Sequence, residues 1–320
     1  MTLNEFLDDW HSASPTLMVH TSGSTGKPKP MLVEKERMVA SARMTCSFLG
    51  LDANDVALLC MPLDYIAGKM MVVRAEVCGM EIVDVPPSGH PLANEKLCQN
   101  VTFAAMVPLQ VYNSLQVPEE TERLMGIRHL IIGGGAIDSK METVLASFPN
   151  NVWSTYGMTE TLSHIAMRRV NGPDASTYYT PLPGVEVDTD ADGCLIIDAP
   201  AVCASKIITN DIVEFSGNGQ RQFKVLGRKD NVICCGGIKI QAEQVEGMLA
   251  KYINAPFFIT KSPHPKYGEI PVIVTECKEK KILEDIFKYV LPKYWIPKRI
   301  VTVNKLPLTE TGKPQRRIVF

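Results

Sequence analysis

The chain has 320 residues, 45% of them hydrophobic, with 33 basic and 35 acidic residues and a formal net charge of -2. That length predicts about two globular domains, and the balanced charge gives no footprint for nucleic acid or an anionic membrane surface. No apolar run approaches the roughly 20 residues needed to span a bilayer, and Met1–Trp10 carries Glu5, Asp8 and Asp9 with no basic n-region, so it does not read as a secretory signal.

The first element is an apolar run, Thr16 to Val19, which reads as a buried strand. From there to about residue 156, strand patterns (56–61, 81–85, 101–107, 129–132, 151–155) alternate with helical ones (34–49, 64–79, 108–126, 138–147). Such alternation predicts an α/β domain, a largely parallel sheet covered by helices, with ligands gathered at the carboxyl ends of the strands. After residue 160, short strands at 162–170, 185–188, 194–197 and 211–215 are separated by Gly, Asp and Pro turns, which predicts a smaller β-rich subdomain. A break at Gly227-Arg228-Lys229-Asp230 precedes an α+β module of roughly 90 residues, with helices near 241–252 and 281–291.

Several segments carry chemistry. Residues 20–30 read His-Thr-Ser-Gly-Ser-Thr-Gly-Lys-Pro-Lys-Pro, directly behind the first strand. Backbone amides, hydroxyls and ammonium groups in such a loop suit a polyphosphate. The spacing is neither G-x-x-x-x-G-K-[ST] nor G-x-G-x-x-G. Gly133-Gly134-Gly135-Ala136 follows a strand, and backbone without side chains lets a flat ring approach closely; a tight turn is the plain alternative. In Ser154-Thr155-Tyr156-Gly157-Met158-Thr159-Glu160-Thr161, an aromatic face suits a purine, a hydroxyl can donate to phosphate and a carboxylate suits a hard cation. Thr209-Asn210-Asp211, Gly227-Arg228-Lys229-Asp230, Gly236-Gly237-Ile238-Lys239-Ile240 with Glu243 and Glu246, and Leu306 to Lys313 complete the set. Nine cysteines, with Cys234 and Cys235 adjacent, form no C-x-x-C pair and no zinc spacing, and read as reduced, mostly buried thiols of a cytosolic protein.

In this order, spread from residue 20 to residue 317, the segments resemble the motifs of the adenylate-forming superfamily: acyl-CoA synthetases, luciferases and peptide-synthetase adenylation domains. The resemblance implies a large adenylation domain over 1–227, and a mobile α+β C-terminal domain over 228–320 with its hinge near Asp230. It implies ATP, Mg²⁺ and coenzyme A as cofactors and substrates, in a cytoplasmic protein with no nucleic-acid partner, and leaves a homo-oligomer open. Residue by residue, Thr21, Ser22, Gly23, Ser24, Thr25, Gly26 and Lys27 match the phosphate loop. Gly134, Gly135 and Ala136 match the adenine pocket, and Tyr156 with Gly157 the adenine-stacking motif. By the same match Thr159 is expected to contact the α-phosphate, Glu160 to help hold Mg²⁺, Asp211 to bind the ribose and Arg228 to contact the ribose or a phosphate. Gly236 and Gly237 match the thiol channel, and Lys313 the lysine that bridges the attacking carboxylate and the α-phosphate.

Three departures accompany the resemblance, the first being Asn210 where the family's T-G-D carries Gly. Tyr65 stands where many members carry His in P-L-F-H-x-x-G, near the acyl pocket. Only nineteen residues precede the phosphate loop, against a much longer stretch in typical members, so an N-terminal subdomain of the family fold is expected to be missing. Within the superfamily, Thr161-Leu162-Ser163-His164-Ile165 looks like the corresponding segment of o-succinylbenzoate-CoA ligases of menaquinone biosynthesis, which places His164 at the acyl pocket. That acid has two carboxylates, and Lys69, Arg74 or Arg168 are candidate cations for the second. Alternatives left open are an aryl- or fatty-acyl-CoA ligase, an enzyme loading a separate carrier protein, and a non-catalytic AMP-binding subunit.

Overall fold

The computed structural model, which describes residues 1–20, 30–94, 97, 100–217, 221–308 and 314–316, begins with helix α1 (Leu3–His11). Its start is fixed by reciprocal bonds: the Glu5 amide donates to the Thr2 hydroxyl at 3.3 Å, and the Thr2 amide donates to the Glu5 carboxylate at 2.7 Å. Strands β1 (Thr16–His20) and β2 (Pro30–Glu34) pair antiparallel as a two-stranded sheet. The first strand is not buried throughout, as the apolar run suggested. Strand side chains alternate, so Leu17 and Val19 are buried while Met18, opposite Leu32, faces out.

Helix α2 (Lys35–Leu49) ends in a left-handed Gly50 and packs on α3 (Ile66–Cys78), which lies against β3 (Val56–Leu59) and β4 (Glu81–Asp84). Every residue of α3 from Gly68 to Ala75 is buried, so this stretch is apolar all round except for Lys69 and Arg74. The main sheet adds β5 (Phe103–Met106), β6 (His129–Ile132), β7 (Asn151–Gly157), β8 (His164–Arg169) and β9 (Thr180–Pro181), in the order β4-β3-β5-β6-β7-β8-β9. Pairing is parallel from β4 to β7 and antiparallel at β8 and β9. The single helix expected over 108–126 is two, α4 (Pro108–Ser114) and α5 (Pro118–Gly126). Pro118 cannot continue a helix and instead starts one at its first turn. Helix α6 (Ser139–Leu145) is capped by Asp138, whose carboxylate accepts the Lys140 and Met141 amides at 2.9 Å.

Strands β10 (Glu186–Thr189), β11 (Cys194–Asp198), β12 (Ile207–Phe215) and β13 (Phe223–Arg228) form a four-stranded sheet in sequence order. Beyond it, β14 (Val232–Cys235), β15 (Ile238–Gln241), β16 (Phe257–His264), β17 (Gly268–Thr275) and β18 (Arg299–Thr302) make a five-stranded sheet with α7 (Ala242–Leu249) and α8 (Lys280–Val290). Ile233, Ile240, Val245, Leu249, Ile259, Ile273, Leu283 and Phe287 form its core. The chain forms two compact units, Met1–Val187 with Ile197–Ile207 and Ser216–Phe223, and Asp188–Ile196 with Ile208–Phe215 and Lys224–Phe320. No described helix is long and apolar enough to cross a membrane.

Candidate functional site

In the first unit, parallel pairing sets Ile132 of β6 opposite Ser154 of β7. The segments after these strands therefore leave the sheet side by side at its carboxyl edge, where open α/β sheets bind ligands. Gly134, Gly135 and Ala136 are exposed there, and Gly134 turns the chain at φ +78. A Cβ on Gly133 would collide with the Thr155 hydroxyl.

Tyr156 belongs to an aromatic trio. Its ring meets Phe223 edge-on, with centroids 5.1 Å apart, and Tyr179 at 5.9 Å; Tyr179 stacks on Phe223 at 5.7 Å. The Tyr179 hydroxyl is 2.8 Å from the Ser154 hydroxyl. Phe223 is fully buried, so the trio fixes the Tyr156 plane from behind.

Gly157 ends β7 where the pairing register shifts, and its backbone passes directly against Ser163 and His164. A Cβ there would meet the Ser163 carbonyl, with the His164 Cα at 2.5 Å. Only glycine permits this approach. Thr159–Thr161 then makes one 3-10 turn. Its cap is Thr161, fully buried, which accepts the Met158 amide at 3.0 Å and lies 2.7 Å from the Ser163 carbonyl. Thr159 is buried and Glu160 is exposed. Leu162 follows at φ 64, ψ -38, outside the regions that non-glycine residues favour, a conformation that costs about 1–3 kcal/mol and is held by a buried side chain.

The three candidate cations have different surroundings. Lys69 is buried beside α1, its Nζ 3.4 Å from the Met1 sulfur and 5.2 Å from the Phe6 ring centroid; burial lowers its pKa against the pull of Asp64 and Asp9. Arg168 pairs with Glu142 at 2.6 Å, donates to the Ser176 carbonyl and stands over Tyr179. It lines a separate pocket of about 300 Å³ with Trp153, Arg169 and Tyr178. Arg74 alone of the three reaches the Ser163–His164 segment: its Nη2 donates to the Ser163 hydroxyl.

Arg74 is 2% exposed, and no carboxylate pairs with it among the described residues. Burial lowers its pKa to about 10; among the described residues its Nε has no partner and Nη1 has only the Met71 sulfur at 3.9 Å. His164 extends the cluster: Nδ1 is 3.4 Å from the Ser163 hydroxyl and Nε2 is 2.9 Å from the Thr45 hydroxyl, which is itself 3.2 Å from the Ser41 carbonyl. Because arginine only donates and a carbonyl only accepts, the protons have one consistent order. Arg74 donates to Ser163, Ser163 to Nδ1, Nε2–H to Thr45, and Thr45 to Ser41. Burial, with Arg74 adding, lowers the His164 pKa well below its ordinary value, so the ring is neutral. Ser163 and Thr45 complete this cluster; Ser163 is adjacent to His164 in sequence, but nothing in the sequence links Thr45 to it. Tyr65 caps the start of α3, and its backbone bridges to His20 at the end of β1.

In the second unit, Arg228 Nη1 lies 3.3 Å from Asp211 and Nη2 3.3 Å from Asp230. Lys229 pairs with Asp192 at 2.5 Å. Gly236 and Gly237 make the turn between β14 and β15 at φ +57 and +85, and the Gly236 amide donates to the Tyr267 carbonyl at 2.8 Å. Thr21, Ser22, Gly23, Ser24, Thr25, Gly26 and Lys27, and also Lys313, lie outside the described residues. All eight described cysteines are free thiols, and burial raises the pKa of Cys46, Cys60, Cys194 and Cys203.

No cluster of three or more His, Cys, Asp or Glu side chains is present among the described residues. A lone exposed carboxylate such as Glu160 fits Mg²⁺, which keeps its waters and arrives with a polyphosphate, better than it fits a metal caged by protein.

The family described as AMP-binding enzyme matches residues 5–195. A 2-succinylbenzoate–CoA ligase of Listeria monocytogenes is 24% identical over 345 residues, covering 98% of this chain and 71% of that protein. The crystal structure of an acyl-CoA synthetase (AMP-forming)/AMP-acid ligase II-like protein from Dyadobacter fermentans is 33% identical, with a TM-score of 0.67, covering 98% of this chain and 91% of that one. The O-succinylbenzoate coenzyme A synthetase of Bacillus subtilis, in complex with ATP and magnesium ion, is 23% identical with a TM-score of 0.78, covering 93% and 68%.

Proposed function

We propose, for a chain that belongs to the AMP-binding enzyme family, that its AMP-forming acyl-CoA ligase activity acts on o-succinylbenzoate. The observation that carries the choice of acid is Arg74, a buried guanidinium with an unused donor and no described carboxylate partner, adjoining the Ser163–His164 segment. A buried cation without a counter-charge is costly, and a ligand's second carboxylate would supply one. The names of the similar ligases support the same acid, and with it a place in menaquinone biosynthesis.

In the first step a carboxylate oxygen of the acid attacks the α-phosphorus of ATP. A C–O–P bond forms, the bond to the β-phosphate oxygen breaks, and pyrophosphate leaves. In the second step the coenzyme A thiol gives its proton to solvent and its sulfur attacks the acyl carbon; a C–S bond forms, the acyl C–O bond breaks and AMP leaves with its electrons. The protein's work is positioning and electrostatics. Tyr156, with Gly133 to Ala136, offers a flat aromatic and backbone surface to adenine. Thr159 addresses the α-phosphate, Asp211 and Arg228 the ribose, and Lys313 the charge that develops on the α-phosphate. Glu160 would hold Mg²⁺, which neutralises phosphate charge. Asp230 serves as hinge residue of the 228–320 domain, and the Gly236–Gly237 turn leaves room for the thiol arm.

The test is a thioester assay by mass spectrometry with ATP, Mg²⁺, coenzyme A and one of o-succinylbenzoate, benzoate or octanoate. The expected result is a CoA adduct with o-succinylbenzoate only. An adduct with benzoate or octanoate and none with o-succinylbenzoate overturns the substrate. No adduct with any acid, together with stabilisation by AMP, overturns the catalytic reading.

A further inference from the structure

Arg316 inserts its guanidinium between α7 and β16. Nη2 donates to Glu246 Oε2 at 2.8 Å, and Nη1 donates to Glu246 Oε1 and to the Ile259 carbonyl. The Ile259 amide donates to Glu246 Oε1 at 2.6 Å, the Thr260 hydroxyl donates to the Arg316 carbonyl at 2.7 Å, and the guanidinium stands over the Phe258 ring, 5.8 Å from its centroid. Three successive residues of β16 thus grip Arg316 while a carboxylate from α7 closes a bidentate fork. Burial raises the Glu246 pKa, and Arg316 and the Ile259 amide pull the other way.

The chain just upstream is also tied down. Leu308 and Pro314 form an antiparallel bridge, the Gln315 amide donates to the Pro307 carbonyl at 2.9 Å, and the Gln315 side chain donates to the Leu308 carbonyl at 2.8 Å. Leu308 and Pro314 are therefore held to each other, and Arg316 holds the described residues 314–316 to β16. Lys313 precedes Arg316 by three residues.

We propose that Arg316, locked by Glu246, is a positioning residue for Lys313 in acyl-adenylate formation. This rests on the reading of Lys313 as the adenylating lysine. A long side chain aims its ammonium group only if its backbone is fixed, and a misplacement of about 1 Å can cost about 10²-fold in rate. Lysine in place of Arg316 keeps the charge but cannot reproduce the fork. Lys313 serves the first half-reaction, so losing the anchor damages adenylation and spares thioester formation. A merely structural ion pair would damage both.

The experiment uses the full chain with R316A, R316K and E246Q in two assays. The first follows pyrophosphate release with o-succinylbenzoate and Mg-ATP. The second follows CoA thioester formation from premade o-succinylbenzoyl-adenylate. The expected result is a loss of about 10- to 100-fold in the first for R316A, a smaller loss for R316K, and a change under about twofold in the second. Equal losses in both assays, or no loss in either, overturn the proposal. Should R316A not fold, R316K and E246Q carry the same comparison. K313A separates the premises: if it keeps adenylation, the Lys313 reading fails, and if it loses adenylation while the Arg316 variants do not, the anchor alone fails.

Discussion

The Arg74 guanidinium donates to the Ser163 hydroxyl across 89 residues of sequence, and through it addresses the neutral ring of His164. A cation in this position recognises an anion or has no electrostatic reason to be buried. Replacing it with a methionine of similar volume should therefore separate stability from function. Arg74→Met is expected to melt at or above the parent temperature, because an unpaired buried charge is removed. It should lose about 10²-fold in kcat/KM for o-succinylbenzoate, the scale of a lost buried charge pair. Calorimetry and steady-state kinetics check the two halves, and a large drop in Tm with unchanged kinetics would show that Arg74 is a scaffold residue.

Glu160 is the exposed acid of the turn after β7. Glu160→Gln keeps the shape and removes the charge that a hard cation prefers. Pyrophosphate release is expected to fall about 10²-fold and to recover partly at raised Mg²⁺, while Tm stays within about 2 °C because the side chain is exposed. A Mg²⁺ titration of both proteins decides it.

The His164 pKa lies well below its unfolded value near 6.5, because the ring is buried and faces Arg74. Between those two values the unfolded chain binds a proton that the folded chain does not, so stability rises with pH there. The contribution is complete above about pH 7 and is lost as pH falls through 6.5, with a slope of up to about 1.4 kcal/mol per pH unit. His129, whose pKa is lowered by burial and by Arg128, contributes with the same sign. Urea unfolding at pH 7.5 and 5.0 should show the loss, and His164→Gln should remove its share of the slope. An unchanged slope in that variant would mean that the ring is already solvated.

Gly157→Ala places a methyl group on the Ser163 carbonyl, which is backbone and cannot turn aside. Overpacking of that kind costs about 1–3 kcal/mol, and it displaces Tyr156 on one side and Thr159 on the other. Lower Tm together with loss of ATP-dependent stabilisation is expected. Retained ATP binding would show that the turn relaxes without moving its neighbours.

The parallel strands were legible because each is a short apolar run bounded by turn residues, as at 129–132 and 81–84. The break between α4 and α5 was carried by Pro118 but outweighed by apolar spacing on both sides. At β1 the composition was read and the alternation was not, so Met18 was expected inside and lies outside. In the site, Tyr156 to Glu160 is one contiguous motif and could be read directly. Its supports, Tyr179 and Phe223, come 23 and 67 residues later and are joined to it only by the way β9 and β13 return. The choice among Lys69, Arg74 and Arg168 was equally closed to sequence, since all three are cations near apolar residues. What distinguishes them is a partner: a thioether for Lys69, a carboxylate for Arg168, and for Arg74 a hydroxyl with a distant thioether and no described carboxylate.

Helix α3 carries Arg74 near the end of a stretch buried from Gly68 to Ala75. Close-packed surroundings leave that stretch little room to bend or drift. Loops are where binding sites usually diversify, by insertion and deletion. On the proposed reading, the residue that meets the acid stands on an element that tolerates neither. Descendants of this chain that changed their acid would have done so one side chain at a time, at Arg74 and its immediate neighbours, and their α3 backbones would still superpose.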